Sequence, residues 1–176
     1  MIYLSHLAHP QLKEYLLKSH KITEIESTDF VSDGIDSHPD LYLCDLGLSL
    51  FFGDKTKLAP GYPQEVRYNA ASTGKYFIHN LKYTDPNLLR YARLLDLIPV
   101  HVNQGYTKCN IVVVDEDSVI TEDSGMAKSM KSAGLNVLLI SPGHVTLPGY
   151  SCGFLGGASG KVDNEIIFHG NLSAHP

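Results

Sequence analysis

The feature that most restricts this chain is a phrase that it repeats. Near its beginning it reads YLSHLAHP, in the middle FIHNLKYTDP, and near its end FHGNLSAHP. Each time an apolar extended stretch runs into a His or Asn, a Leu, a short polar loop, and then His-Pro or Asp-Pro. Proline in a helix's first turn sacrifices nothing, because the N–H it lacks is one that a helix start leaves unpaired anyway. The phrase is therefore a strand-to-helix junction, with Pro10 and Pro86 opening helices and the polar residues before them capping the first turn. Recurrence of one junction along 176 residues points to repeated units rather than to one continuous sheet.

The best-marked unit is CNIVVVDEDSVITEDSGMAKSMKSAGLNVLLISPG, from Cys109 to Gly143. Residues 111–114 are an apolar β-branched run, Glu116 and Asp117 supply a turn, and Val119, Ile120 and Thr121 resume as the second arm of a hairpin. Ser124 is the expected N-cap of a helix over 125–133, Gly134 its stop, and 137–140 a buried strand. The unit is ββαβ. Its second hairpin strand has counterparts centred on Tyr3, Phe51, Ile78 and Phe168, at spacings of roughly forty to fifty residues with one shorter. First arms are expected in DLYLCDLG, EVRYNAAST, CNIVVVDE and GFLGGASG. Helices PQLKEYLLKSH, PNLLRYARLLDLI and GMAKSMKSAG follow in the first, third and fourth units, each leading to a third strand, KITEIES, PVHVNQ and NVLLIS. The second unit has no helical pattern, because Pro60, Gly61 and Pro63 interrupt the segment where one would lie.

Composition narrows the function classes. Fourteen basic residues are scattered through a chain of net charge −5, so no surface tracks a phosphate backbone and nucleic acid is not an expected partner. With 43% hydrophobic and 19% charged residues and this length, the chain is expected to fold as a single domain over residues 1–176. There is no apolar run of about 18 residues and no leader pattern, which predicts a cytoplasmic protein without membrane contact. Cys44, Cys109 and Cys152 lie far apart without CxxC spacing, so free thiols are expected.

Three stretches, YNAASTGKYFIHNLKYTDPNLL (68–89), VNQGYTKCNIVVVDEDSVITEDSGMAK (102–128) and PGHVTLPGYSCGFLGGASG (142–160), resemble an uncharacterised bacterial family of unknown function with the GME fold, named after guanidino-group-modifying enzymes and also called the pentein fold. The resemblance implies an α/β pentein-like, pseudo-five-fold array of ββαβ repeats, and hydrolase or transferase ancestry toward small arginine-like compounds. Two departures stand beside it: the second repeat lacks its helix, and the chain stops where the family continues. In penteins of the deiminase and amidinotransferase kind, the nucleophilic Cys is a feature of that last segment.

In a ring of hairpins the first arms line the axis, and polar residues inside them need a partner or a function. These arms offer Asp45, Asn69, Lys108, Asn110, Gly156, Gly157 and Ser159 as candidates for binding a small polar or cationic metabolite. Asp45 would be either the counter-charge of such a ligand or the cap of a turn at Gly47, and the asparagines either ligand contacts or ties between neighbouring repeats. Cys109 and His144 are the weak catalytic candidates, as nucleophile and acid/base. If residues 108–110 form a strand, Lys108 points away from Cys109 and does not assist it. No metal site is expected. His6 and His9 flank a loop, His38 with HPD reads as turn chemistry, and His101 and His169 are isolated. GFLGGASGK lacks both the Ser/Thr and the following helix of a phosphate loop, and no cofactor is expected. A non-catalytic scaffold binding a metabolite or a protein is the alternative function. The closing phrase predicts a fifth repeat that breaks off at Pro176, leaving the ring incomplete and residues 2–5 as an open edge available for self-association.

Overall fold

A computed structural model of the protein describes residues 1–175; Pro176, the expected first helical position of the last repeat, lies outside them. The first unit is β1 (Ile2–Ser5), α1 (Pro10–Leu17) and β2 (Ile22–Ile25), with β1 and β2 parallel and Ile2 opposite Ile22. His9 caps α1 by accepting from the Gln11 N–H at 3.3 Å. In the second unit a 3-10 turn over Pro39–Leu41 leads into the antiparallel pair β3 (Leu43–Asp45) and β4 (Leu50–Phe52). Short 3-10 turns at Lys55–Lys57 and Gln64–Val66 then replace the helix.

The third unit is complete: β5 (Ala71–Ser72), β6 (Tyr76–His79), α2 (Pro86–Leu94) and β7 (Ile98–His101), with β6 antiparallel to β5 and parallel to β7. Asp85 caps α2 through the N–H groups of Asn87 (2.9 Å) and Leu88 (3.3 Å). The fourth repeats it, with one helical turn, α3 (Thr107–Asn110), running straight into β8 (Ile111–Val113), then β9 (Ser118–Thr121), α4 (Ser124–Ser132) and β10 (Asn136–Leu139). The hairpin β11 (Ser159–Val162) and β12 (Glu165–Phe168) closes the order, before a 3-10 turn at Leu172–Ala174.

Three local expectations change. Asp123, not Ser124, caps α4, because its longer side chain reaches the Met126 N–H at 2.9 Å. The first arm of the fifth unit begins only at Ser159; Phe154, Leu155 and Gly156 instead accept bonds that curl the glycine run into a turn. Residues 108–110 are helical rather than extended, since Thr107 Oγ1 bonds the Gln104 carbonyl (2.7 Å) and the Asn110 side chain bonds the Tyr106 carbonyl (2.9 Å).

Among the described residues the result is a mixed α/β architecture of five small sheets, none closed into a barrel. The first arms adjoin in series, β3 against β5, β5 against β8 and β8 against β11. The last hairpin meets the first unit's helix, where Tyr15 donates to Glu165 at 3.2 Å and His20 lies 3.2 Å from Asp163. Strand alternation in the third hairpin divides the core into two clusters. Phe77 packs with Leu41, Tyr68, Leu88 and Ala92, while Tyr76 and Ile78 pack with Ile111, Val119, Met126 and Met130. No helix among the described residues is long and apolar enough to cross a membrane.

Candidate functional site

The segments entering the first arms of four units meet around α3. Asn69, wholly buried just ahead of β5, ties two of them. Its amide nitrogen donates to the Asp40 carbonyl and to Cys109 Sγ, both at 3.1 Å, and its amide oxygen accepts from the Cys109 N–H at 3.3 Å. The Lys108 N–H bonds the Asn69 carbonyl at 3.0 Å. From the other side the glycine turn closes in, with the Gly157 N–H on the Cys109 carbonyl at 2.8 Å. A Cβ on Gly156 would lie 2.5 Å from the carbonyl oxygens of both Lys108 and Ile111, which no side chain tolerates; only glycine permits this approach.

This packing gathers a thiol, an imidazole and a carboxylate. The Cys109 sulfur, a His38 ring nitrogen and an Asp40 oxygen all lie within 4.8 Å of one another. His38 Nε2 is 3.8 Å from Asp40 Oδ2, and the Lys108 ammonium reaches the same oxygen at 3.4 Å and the Gly156 carbonyl at 3.4 Å. Burial pushes the His38 imidazole down, but Cys109, through charge and hydrogen bond, and then the Asp40 carboxylate outweigh it, against opposition from Lys108, and raise it to about 9. For Lys108, burial is likewise outweighed, by Asp40 and then Cys109, and its pKa rises. An imidazolium held against a sulfur, with a carboxylate orienting it, is the arrangement that serves a thiolate nucleophile. Nitrogen, oxygen and sulfur donors this close could also ligate a metal ion. The Lys108 ammonium on the Asp40 oxygen competes with any second cation there.

Of the residues singled out in the sequence, Asn69, Lys108, Cys109, Gly156 and Gly157 come together here. Lys108 does so because helical winding, unlike strand alternation, lets it and Cys109 share a surrounding. Ser159 stands at the rim, its hydroxyl 3.4 Å from the Gly156 carbonyl. Asp45 is exposed and accepts from the Gly47 N–H at 2.8 Å, which is the turn-capping alternative. Asn110 turns to a separate cavity of about 160 Å³. His144 is exposed in a loop, 3.2 Å from the Ser141 hydroxyl and apart from Cys109. Cys44 is inert by environment: burial pushes its thiol up, and Sγ donates to the Ala70 carbonyl at 3.3 Å.

His38 and Asp40 are the residues that sequence reasoning missed by taking HPD as turn chemistry. A signal existed in the repeat register. Asn69, Cys109 and Gly157 each stand two residues ahead of a first arm, and Asp40 stands three ahead of its own.

Repeated ββαβ units with a thiol–imidazole–carboxylate cluster where their first arms converge define a class: a repeat-built α/β protein with its candidate chemistry at the junction. Within that class the chain belongs to a family of unknown function, DUF6873, whose model matches residues 47–176. The match takes in Asn69, Lys108, Cys109 and the glycine turn, while His38 and Asp40 lie ahead of it. No curated protein and no solved structure matches the chain.

Proposed function

We propose that the chain is a pentein-type protein in which Cys109 acts as a nucleophile on the planar carbon of a small guanidino compound. The observation that carries this is the convergence of Cys109, His38 and Asp40 within 4.8 Å. Support for the pentein arrangement comes from the first arms adjoining in series and from the last hairpin meeting α1. In the reaction, Sγ would form a bond to the guanidinium carbon while His38 gives its proton to the departing amine nitrogen. Neutral His38 would then take a proton from water as its oxygen attacks the same carbon, and the C–S bond would break to return the thiolate. Asp40 lies between His38 and Lys108, so its role is to hold the imidazole and not to clamp the substrate. Asn69 fixes the sulfur through its 3.1 Å contact.

A non-catalytic scaffold is the second reading, favoured by one observation: Cys109 is only 5% exposed. Incubation with arginine, agmatine and dimethylarginine, with citrulline-type products and a covalent adduct followed by mass spectrometry, separates the two. Turnover that disappears in Cys109→Ala supports the enzyme; absence of both product and adduct contradicts it. Among the described residues the β1–β2 sheet has two strands, and we propose its edge at residues 2–5 as a place for self-association. Sedimentation over a range of concentrations tests that, a monomer throughout counting against it.

A further inference from the structure

At Asn110, the last residue of α3, lies a feature that the Cys109 chemistry does not use. Glu122, between β9 and α4, is 8% exposed. One carboxylate oxygen accepts from the Leu155 N–H at 3.0 Å; the other is shielded from solvent and has no hydrogen-bond partner among the described residues. A half-satisfied buried carboxylate is unfavourable unless something completes it. Glu122 lines the cavity of about 160 Å³, with Gln104, Asn110, Asp123, Cys152 and Phe154 around it. A second space of about 260 Å³ adjoins it through Gln104 and Asp123, and among the described residues no lysine, arginine or histidine lines either one.

We propose that this cavity is a binding site for a small organic cation carrying a primary ammonium group. Charge requires a cation: Glu122 has no basic partner there, and Asp123 adds a second carboxylate. The form of the acceptors selects its type. One Glu122 oxygen is partly taken up by Leu155 and the other is unpartnered, and a single unpartnered oxygen suits the compact point charge of an ammonium better than the two-point fork of a planar guanidinium. Asn110 donates its amide nitrogen to the Tyr106 carbonyl, leaving its amide oxygen as a further acceptor. The Phe154 ring supplies an apolar wall of the kind that accompanies bound cations. This site is independent of the function proposed for Cys109 and would stand if that function failed.

The test uses methylammonium chloride against sodium chloride at equal ionic strength, with tetramethylammonium and guanidinium as further arms. Calorimetry should register methylammonium binding, a weaker response to guanidinium, and none to tetramethylammonium, which has no N–H to donate. Glu122→Gln keeps an acceptor for Leu155 and should abolish the response. A second readout needs no variant: Cys152 lines the cavity, and its alkylation, followed by peptide mapping, should slow about tenfold when methylammonium stands about tenfold above its Kd, with Cys109 alkylation unchanged. No methylammonium binding, equal binding by the variant, or an unprotected Cys152 overturns the proposal.

Discussion

His38 and His79 are both withdrawn from water, and their surroundings drive them in opposite directions. His79 ends β6 with no exposed surface, its ring bonded to the Thr84 hydroxyl at 2.7 Å and the Gly105 carbonyl at 3.1 Å. Burial pushes it down to about 4, more than the Gly105 and Val66 backbone contacts can restore. His38, with a quarter of its side chain exposed (24%), is raised to about 9. Desolvation acts on both in the same sense. What reverses its effect at His38 is the pull of acidic neighbours, Cys109 first and then the Asp40 carboxylate, which have no counterpart among the influences on His79. His79 is thus a neutral structural tie among neutral neighbours, and the half-buried His38 is raised because its neighbours are acidic.

The sharpest way to break that contrast is to remove His38. His38→Asn should slow alkylation of Cys109 near neutral pH by about a hundredfold, while Cys44 stays unmodified in the folded protein of either form; peptide mapping after timed exposure to iodoacetamide reads both. An unchanged rate would mean that the imidazole does nothing for the sulfur. Next in size is acid stability. His79 has a folded pKa below its unfolded value, so the unfolded chain takes up the proton first, and stability falls between pH 6.5 and about 4 by about 3 kcal/mol. His38 has the opposite sign: its contribution is complete below pH 6.5 and is lost as pH rises through about 9. Urea titrations across this range should show losses at both ends, and His79→Gln should remove the dependence on acid that arises from His79.

Smaller effects refine the comparison. Gly156→Ala forces a methyl against two backbone carbonyls and should cost about 2 kcal/mol, read as a lowered urea midpoint, because the glycine turn must withdraw from α3. Lys108→Met removes a cation that opposes protonation of His38, and should move its titration slightly upward by NMR.

The repeat was legible because it rests on local chemistry: proline in the first turn of α1 and α2, Gly134 after α4, β-branched runs in β8 and β9. The hairpins and the three main helices follow from it. Less local features were hidden. Residues 108–110 carry strand-like neighbours, yet contacts from Gln104 and Tyr106 wind them into a helical turn, and this brings Lys108 to Asp40. His38 and Asp40 sit 71 and 69 residues from Cys109 in a segment whose wording says only turn; their proximity is a product of how the units adjoin. Asp45 shows the converse, a charge in a strand that looks functional and serves its own hairpin. Polar residues near a repeat junction were easier to find than the partners that give them chemistry.

Cys109 is the largest influence raising the His38 imidazole, and a histidine titration followed by NMR, in the protein and in Cys109→Ser, tests this most directly. His38 should titrate at about 9 with the thiol present and well below that without it. A His38 resonance that titrates near the ordinary 6.5 in both proteins would contradict it.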